Sequence, residues 1–288
     1  MMKTWTRSLL LLLLLTGCEP ASIGSETPAS PFAPTATAPV PTRTSPPLPT
    51  PTEAPPSPTV PPIAEIDSPS GVLTVCSPLA GLTRSGLEDV ITNPYFPPPF
   101  GSDDPHQGID LAQFLSGTRV AVGGAVVQAA LGGTVALIVP NRFPYGNAVM
   151  LETPLEDLAG ADLDLPAPGG DIPIHSTLTC PGETEIATDP QRRSLYLLYA
   201  HLQDPPTLAI GESVSCGSPL GLVGDSGNAL NPHLHLEVRI GPSGAVFPGM
   251  SHYSAAATPA EMDSYCAWRV GGLFRPVDPL TILDLAEW

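Results

Sequence analysis

The chain has 288 residues and a formal net charge of −17, from 28 acidic against 11 basic side chains. Nucleic acids bind basic surfaces, so this balance excludes them as partners and disfavours adhesion to anionic lipid or anionic wall polymers. The length leaves room for one or two domains.

The N-terminus reads as a targeting segment. Lys3 and Arg7 precede the apolar run Leu9–Leu15, which ends Leu15-Thr16-Gly17-Cys18. A charged start, a short apolar stretch and small residues at a cleavage point form the layout of an export signal. The apolar run is far short of the ~20 residues a membrane span needs. Its last four residues resemble a bacterial lipobox, which makes Cys18 the expected lipidation site and residues 1–18 a lipoprotein signal peptide. Residues 19–65 are expected to be a linker. The part from 20 to 62 holds 15 prolines and 8 threonines, with charges only at Glu26, Arg43 and Glu53. Such a segment buries too little to fold, and its prolines favour a semi-rigid spacer of up to ~130 Å at about 3.1 Å per residue. An anchored cysteine followed by a spacer describes a tether holding a folded part, residues 66–288, outside a membrane of the cell envelope.

In that folded part Val120–Val139 carries no charge. Its glycine pairs between valine-rich runs indicate short strands joined by turns, not a transmembrane helix. Ala148–Glu152 and Ser194–Leu202 are further strand candidates. The clearest is His233–Ile240, with His233, His235, Glu237 and Arg239 on one face and Leu234, Leu236, Val238 and Ile240 on the other. Period two over such a length marks a half-buried strand. Helical turns are expected only near Pro259–Tyr265 and Leu280–Leu285. The fold class predicted is all-β, a sandwich of two packed antiparallel sheets. Two stretches, about 153–194 and 244–272, lose the periodicity and read as loop insertions; loops of that length usually serve a purpose. His175 and His252 fall in them and read as solvent-facing histidines outside any site.

The chemistry-bearing residues are His106, Asp110, His201, His233 and His235. Imidazole and carboxylate suit Zn²⁺, and three protein ligands with an open position make a catalytic site. On a strand His233 and His235 share a face about 7 Å apart, whereas His106 and Asp110 on a straight strand would be separated by roughly 13 Å. A shared metal therefore requires a bend between them, and Gly108 is where a bend is easiest. The four cysteines beyond Cys18 are Cys76, Cys180, Cys216 and Cys266. An even number in an exported protein suggests two disulfides, and no pair has the spacing of a zinc knuckle.

Together these motifs resemble the M23 family of zinc metallopeptidases, the lysostaphin-like enzymes that cut peptide bonds in bacterial peptidoglycan. His106-Gln-Gly-Ile-Asp-Leu111 is similar to the family's H-x-G-x-D segment, Gly117-Thr-Arg-Val-Ala121 to its G-T-x-V-x-A strand, and Tyr145-Gly-Asn147 to its loop. Tyr199-Ala-His-Leu202 matches Y-x-H-L. Gly221 to Gly227 with Pro232-His-Leu-His-Leu-Glu237 resembles the closing G-x-x-G-x-T/S-G … P-H-L-H-F-E, and Val277-Asp-Pro279 the late N-P turn. The similarity covers about residues 70–288 and is interrupted by the two insertions. Asn231 stands where many relatives have glycine and Leu236 where an aromatic is usual. Tyr95 is the nearest tyrosine before the first ligand and carries no assigned role.

The resemblance implies zinc held by His106, Asp110 and His235, with His201 and His233 as catalytic imidazoles beside it. It implies a zinc endopeptidase acting on stem or cross-bridge peptides of peptidoglycan, tethered to a membrane through Cys18. The alternative is a non-catalytic protein of the same fold that binds and activates another wall hydrolase. Cys76 and Cys216 lie in segments that match the family's core, and Cys180 and Cys266 in the insertions. One staple from each insertion to the core, Cys76–Cys266 and Cys180–Cys216, is the pairing expected.

Overall fold

Residues 74–99, 101–158 and 178–285 are described by the computed structural model. The signal, Cys18, the proline-rich linker and His175 lie outside the described residues. After a short helix α1 (Leu87–Val90) the chain forms β1 (Ile91–Asn93), β2 (Ile109–Leu111), β3 (Gln113–Phe114), β4 (Ala121–Val122), β5 (Val126–Gln128), β6 (Gly133–Arg142) and β7 (Gly146–Pro154). There follow β8 (Ala187–Leu202), β9 (Ser213–Val214), β10 (Pro219–Leu222), β11 (Leu234–Val246), α2 (Pro259–Arg269), β12 (Arg275–Val277) and α3 (Pro279–Leu283).

Eight strands make one antiparallel sheet in the order β1-β2-β11-β8-β7-β6-β9, with β12 beside β11. The all-β expectation holds, and the alternation in β11 sorts its side chains as the sequence indicated. Leu234, Leu236, Val238 and Ile240 join Val149, Leu151, Leu197 and Tyr199 in a core under the β5–β10 ribbon, which contributes Val127 and Leu220. The second layer is thus a two-stranded ribbon rather than a broad sheet. Val120–Val139 supplies β4, β5 and most of β6; among the described residues no helix is long and apolar enough to cross a membrane.

The other face of the sheet carries a second core, in which Met150, Tyr196 and Leu198 pack against Phe247, Trp268 and Phe274. This layer comes from the stretches read as loop insertions, and their order is greater than the sequence suggested. β8 and β11 continue past the core, with Asp189 opposite Ser243 and Ala187 opposite Val246. Thr258 then starts α2 through a reciprocal capping box with Glu261, and Pro259 occupies the first turn. That combination satisfies orphan backbone donors and pre-sets the entry of the helix.

The disulfide pairing differs from the expectation. Cys76 joins Cys216 and Cys180 joins Cys266, with Cα separations of 5.7 and 5.9 Å. Packing explains both. The backbone N–H groups of Cys76 and Gly217 donate to Ala130 and Ala129 carbonyls, which sets the two core segments side by side. The end of the first insertion lies along α2, where the Asp263 carboxylate accepts from the N–H groups of Gly182, Glu183 and Thr184 at 2.6–2.9 Å. His252 joins the same seam: it is buried, with Nε2–H donating to the Thr179 carbonyl at 2.9 Å, and does not face solvent. Non-reducing peptide mapping is expected to recover these two pairs and no free thiol among the four. Each bridge closes a long loop, so a Cys266→Ser variant is expected to lose ~2–4 kcal/mol, roughly 4–16 °C in Tm for a domain of this size. Recovery of a Cys180–Cys216 peptide would refute the pairing.

Candidate metal centre

Strand register builds the centre. β2 and β11 pair with Asp110 directly opposite His235, and residues so paired project from one face with Cβ atoms ~4.5–5.5 Å apart. His106 arrives from the loop before β2. The chain turns between His106 and Asp110 as the sequence required, yet Gly108 serves close approach rather than a left-handed bend. A Cβ there would lie 2.5 Å from the Leu236 carbonyl oxygen and 2.9 Å from the His235 ring.

Each ligand candidate is oriented from behind. His106 Nδ1–H donates to the Pro94 carbonyl at 3.0 Å, and His235 Nε2–H donates to Glu237 Oε1 at 3.0 Å. Asn93 Nδ2–H holds Asp110 Oδ2 at 3.1 Å. The nitrogens left over converge with the free carboxylate oxygen. His106 Nε2 is 3.0 Å and His235 Nδ1 2.8 Å from Asp110 Oδ1, and the two nitrogens are 3.1 Å apart. Three such atoms stay this close only with positive charge among them, whether protons or a metal ion. Zinc bonds of 2.0–2.1 Å put tetrahedral ligands about 3.3 Å apart, so a movement of a few tenths of an ångström fits this triangle to Zn²⁺. A carboxylate behind a ligating histidine is the usual means of fixing its tautomer.

Electrostatics agrees. Burial opposes ionisation of Asp110, but hydrogen bonds from His106 and His235 prevail and hold it far below the usual carboxylate range. Burial likewise opposes charge on His235, and its bonds to Asp110 and Glu237 overcome that, raising it to about 9. A position that retains a cation on this ring is suited to a metal in its place.

His201 and His233 complete the cluster. By plain alternation His201 would follow Tyr199 into the core. Instead it has a φ of 62°, and three residues of β8 (Ala200–Leu202) match two of β7, so that Leu202 opposite Asn147 resumes the core face. Left-handed backbone in a non-glycine residue is strained and concentrates at functional sites. The kink turns the ring to the groove, 5.8 Å from His235 and 4.8 Å from His233 between centroids. His201 Nδ1–H donates to the Ser226 carbonyl at 2.7 Å and His233 Nδ1–H to that of Asn231 at 2.8 Å. Both therefore turn Nε2 away from the backbone, that of His233 lying 3.6 Å from Asp110 Oδ1. Burial, reinforced by His235 and His233, pushes His201 down to about 3. It is neutral at ordinary pH.

All five residues nominated from sequence line one groove of about 890 Å³. Tyr145-Gly-Asn147 belongs to its support: a Cβ on Gly146 would sit 2.3 Å from the Ser226 backbone, and Tyr145 donates to Glu237 at 2.8 Å. Sequence reasoning missed the network behind His235. Glu237 is fully buried and also accepts from Arg239, from Trp268 Nε1 at 2.8 Å and from Arg269 Nη1 at 2.7 Å. Burial opposes its charge, but Arg269 and Arg239 hold it well below the usual range. Arg269 reaches on to Asp103, which Tyr253 and Tyr265 also contact. The alternation that put Glu237 on the face of His235 was the available signal for its part; nothing near the motifs pointed to Arg269.

No family model matches the chain, and no curated protein does. Among solved structures it is similar to the catalytic domain of lysostaphin from Staphylococcus simulans, at 16% identity and TM-score 0.35, covering 69% of this chain and 96% of that one. A putative peptidase M23 from Pseudomonas aeruginosa gives 18% identity and TM-score 0.32 over 74% of this chain and 56% of that. A zinc-containing peptidase from Vibrio cholerae gives 21% identity and TM-score 0.30 over 51% and 32%.

Proposed function

We propose that this chain is a zinc-dependent endopeptidase of the M23 type that hydrolyses stem or cross-bridge peptides of peptidoglycan, exported and tethered to a membrane through Cys18. The observation that carries the reading is the convergence of His106 Nε2, Asp110 Oδ1 and His235 Nδ1 beside two imidazoles whose Nδ1 atoms are held by backbone carbonyls. Zn²⁺ held by the three would supply Lewis acidity, activating water near neutral pH and polarising a peptide carbonyl.

The protein's own groups supply the rest. Glu237 and the Pro94 carbonyl fix the tautomers of His235 and His106. His201 and His233 are placed to accept the proton of an attacking water and return it to the leaving amine, each held in direction by a backbone carbonyl. Tyr253 and Arg269 from the second insertion line the same groove. A purely binding role would need neither the spare imidazoles nor their fixed tautomers, so the enzyme reading is favoured over an activator of another hydrolase.

Incubating the purified protein with cross-linked peptidoglycan and identifying released fragments by mass spectrometry tests this, alongside metal analysis. About one zinc per chain with new amino termini is expected. A metal-free protein that leaves the polymer uncut would sink the proposal and point to the binding role.

A further inference from the structure

The arginines of the folded part are nearly all spoken for. The chain's only lysine is Lys3, so the guanidinium groups provide the folded part's permanent positive charge. Arg84, Arg142, Arg192, Arg239 and Arg269 each pair with a carboxylate. Arg193 and Arg275 also interact with neighbours. Arg119 differs: it is exposed, and among the described residues it has no ion pair or hydrogen bond. It nevertheless lines the groove that holds the metal centre.

Its mounting is defined. β3 and β4 pair through Gln113 opposite Val122 and Phe114 opposite Ala121. The turn between them is closed by Leu115 N–H to the Val120 carbonyl and Thr118 N–H to that of Leu115, both at 2.9 Å. Arg119 is therefore carried on a short hairpin and not on a free loop. Phe114 on the same hairpin is 44% exposed, and Leu230, also in the lining, is 98% exposed. The other charges of the lining are accounted for: Asp110 in the centre, Glu237 buried, Asp103 held by Arg269, and Asp104 exposed without contacting Arg119 within ion-pair distance.

We infer that Arg119 is a specificity-determining residue which binds a free carboxylate of the substrate, so that the enzyme acts on acid-bearing peptides in preference to neutral ones such as glycine bridges. In a chain this acidic one unpaired guanidinium does nothing for general attraction of anions. Beside exposed apolar side chains, in the groove of the reaction, it offers a local two-pronged contact that suits a carboxylate. The inference rests on the peptidase reading and gives it a substrate class.

The test uses cross-linked stem-peptide dimers with their carboxylates free, and the same dimers after amidation. Wild type is expected to favour the free acid by about two- to fivefold in kcat/KM, the range for an exposed charged contact. Arg119→Gln should remove that ratio, Arg119→Glu should invert it, and added salt should shrink it. Binding of both dimers to zinc-depleted protein is measured in parallel, because it does not depend on turnover. If neither dimer is cut but the acid form binds more tightly and only with Arg119 present, the peptidase reading fails and the carboxylate contact stands. Equal handling of the two dimers by wild type and Arg119→Gln, or no binding of either form, overturns the inference.

Discussion

Alanine at His106, Asp110 or His235 is expected to abolish zinc binding and peptidoglycan cleavage together, whereas His201→Ala keeps its zinc and loses about 10²–10⁴ in kcat. The asymmetry follows from which nitrogen each ring presents. His106 and His235 turn their free nitrogens to the oxygen of Asp110 at 3.0 and 2.8 Å. Removing any corner of that triangle leaves two ligands, too few to hold the ion in competition with a chelator. His201 stands one ring further out, 5.8 Å between centroids from His235, with its Nδ1–H on the Ser226 carbonyl. In the proposed function it would serve proton transfer and not coordination. His233 belongs with His201, since its Nε2 is 3.6 Å from Asp110 Oδ1 and makes no closer contact there. Metal analysis after dialysis, together with cleavage rates, separates the classes. A His233→Ala protein without zinc beside a His235→Ala protein that retains it would reverse the assignment of that pair.

The centre was legible because its residues obey short-range rules. Alternation in β11 put His235 and Glu237 on the opposite face from Leu234 and Leu236, and that is where they are. The spacing of His106 and Asp110 demanded a turn, and one is present. Other features depend on contacts that spacing does not encode. The φ of 62° at His201 is a choice of the β7–β8 register, so the motif gave the residue but not the reason its ring faces the groove. The need for glycine at 108 comes from the Leu236 carbonyl of a strand far along the chain. Disulfide pairing failed for a related reason: both insertions were read as separate loops over the core. They are in fact one layer, built from the extended ends of β8 and β11 and closed by α2.

That layer makes Arg269 the most consequential residue outside the motifs, and Arg269→Ala is expected to weaken zinc binding by about 10–100-fold. Glu237 is fully buried and its Oε1 takes three donors: His235 Nε2 at 3.0 Å, Tyr145 Oη at 2.8 Å and Arg269 Nη1 at 2.7 Å. The same guanidinium binds Asp103 through Nε at 2.6 Å. Deleting it leaves two carboxylates short of their cation, and breaking a buried pair of this type costs about 3–5 kcal/mol. Glu237 would then be free to shift toward Arg239, loosening the hydrogen bond that directs His235 at the candidate metal site. Because the alanine variant can lose stability, Arg269→Lys provides the second arm. It keeps a charge near Glu237 but cannot span to Asp103 with a planar fork. An intermediate loss of zinc affinity is expected for it, measured by chelator competition on protein that retains a cooperative melt. Native zinc affinity in both variants, with only Tm lowered, would mean that α2 props the groove wall without positioning the ligand.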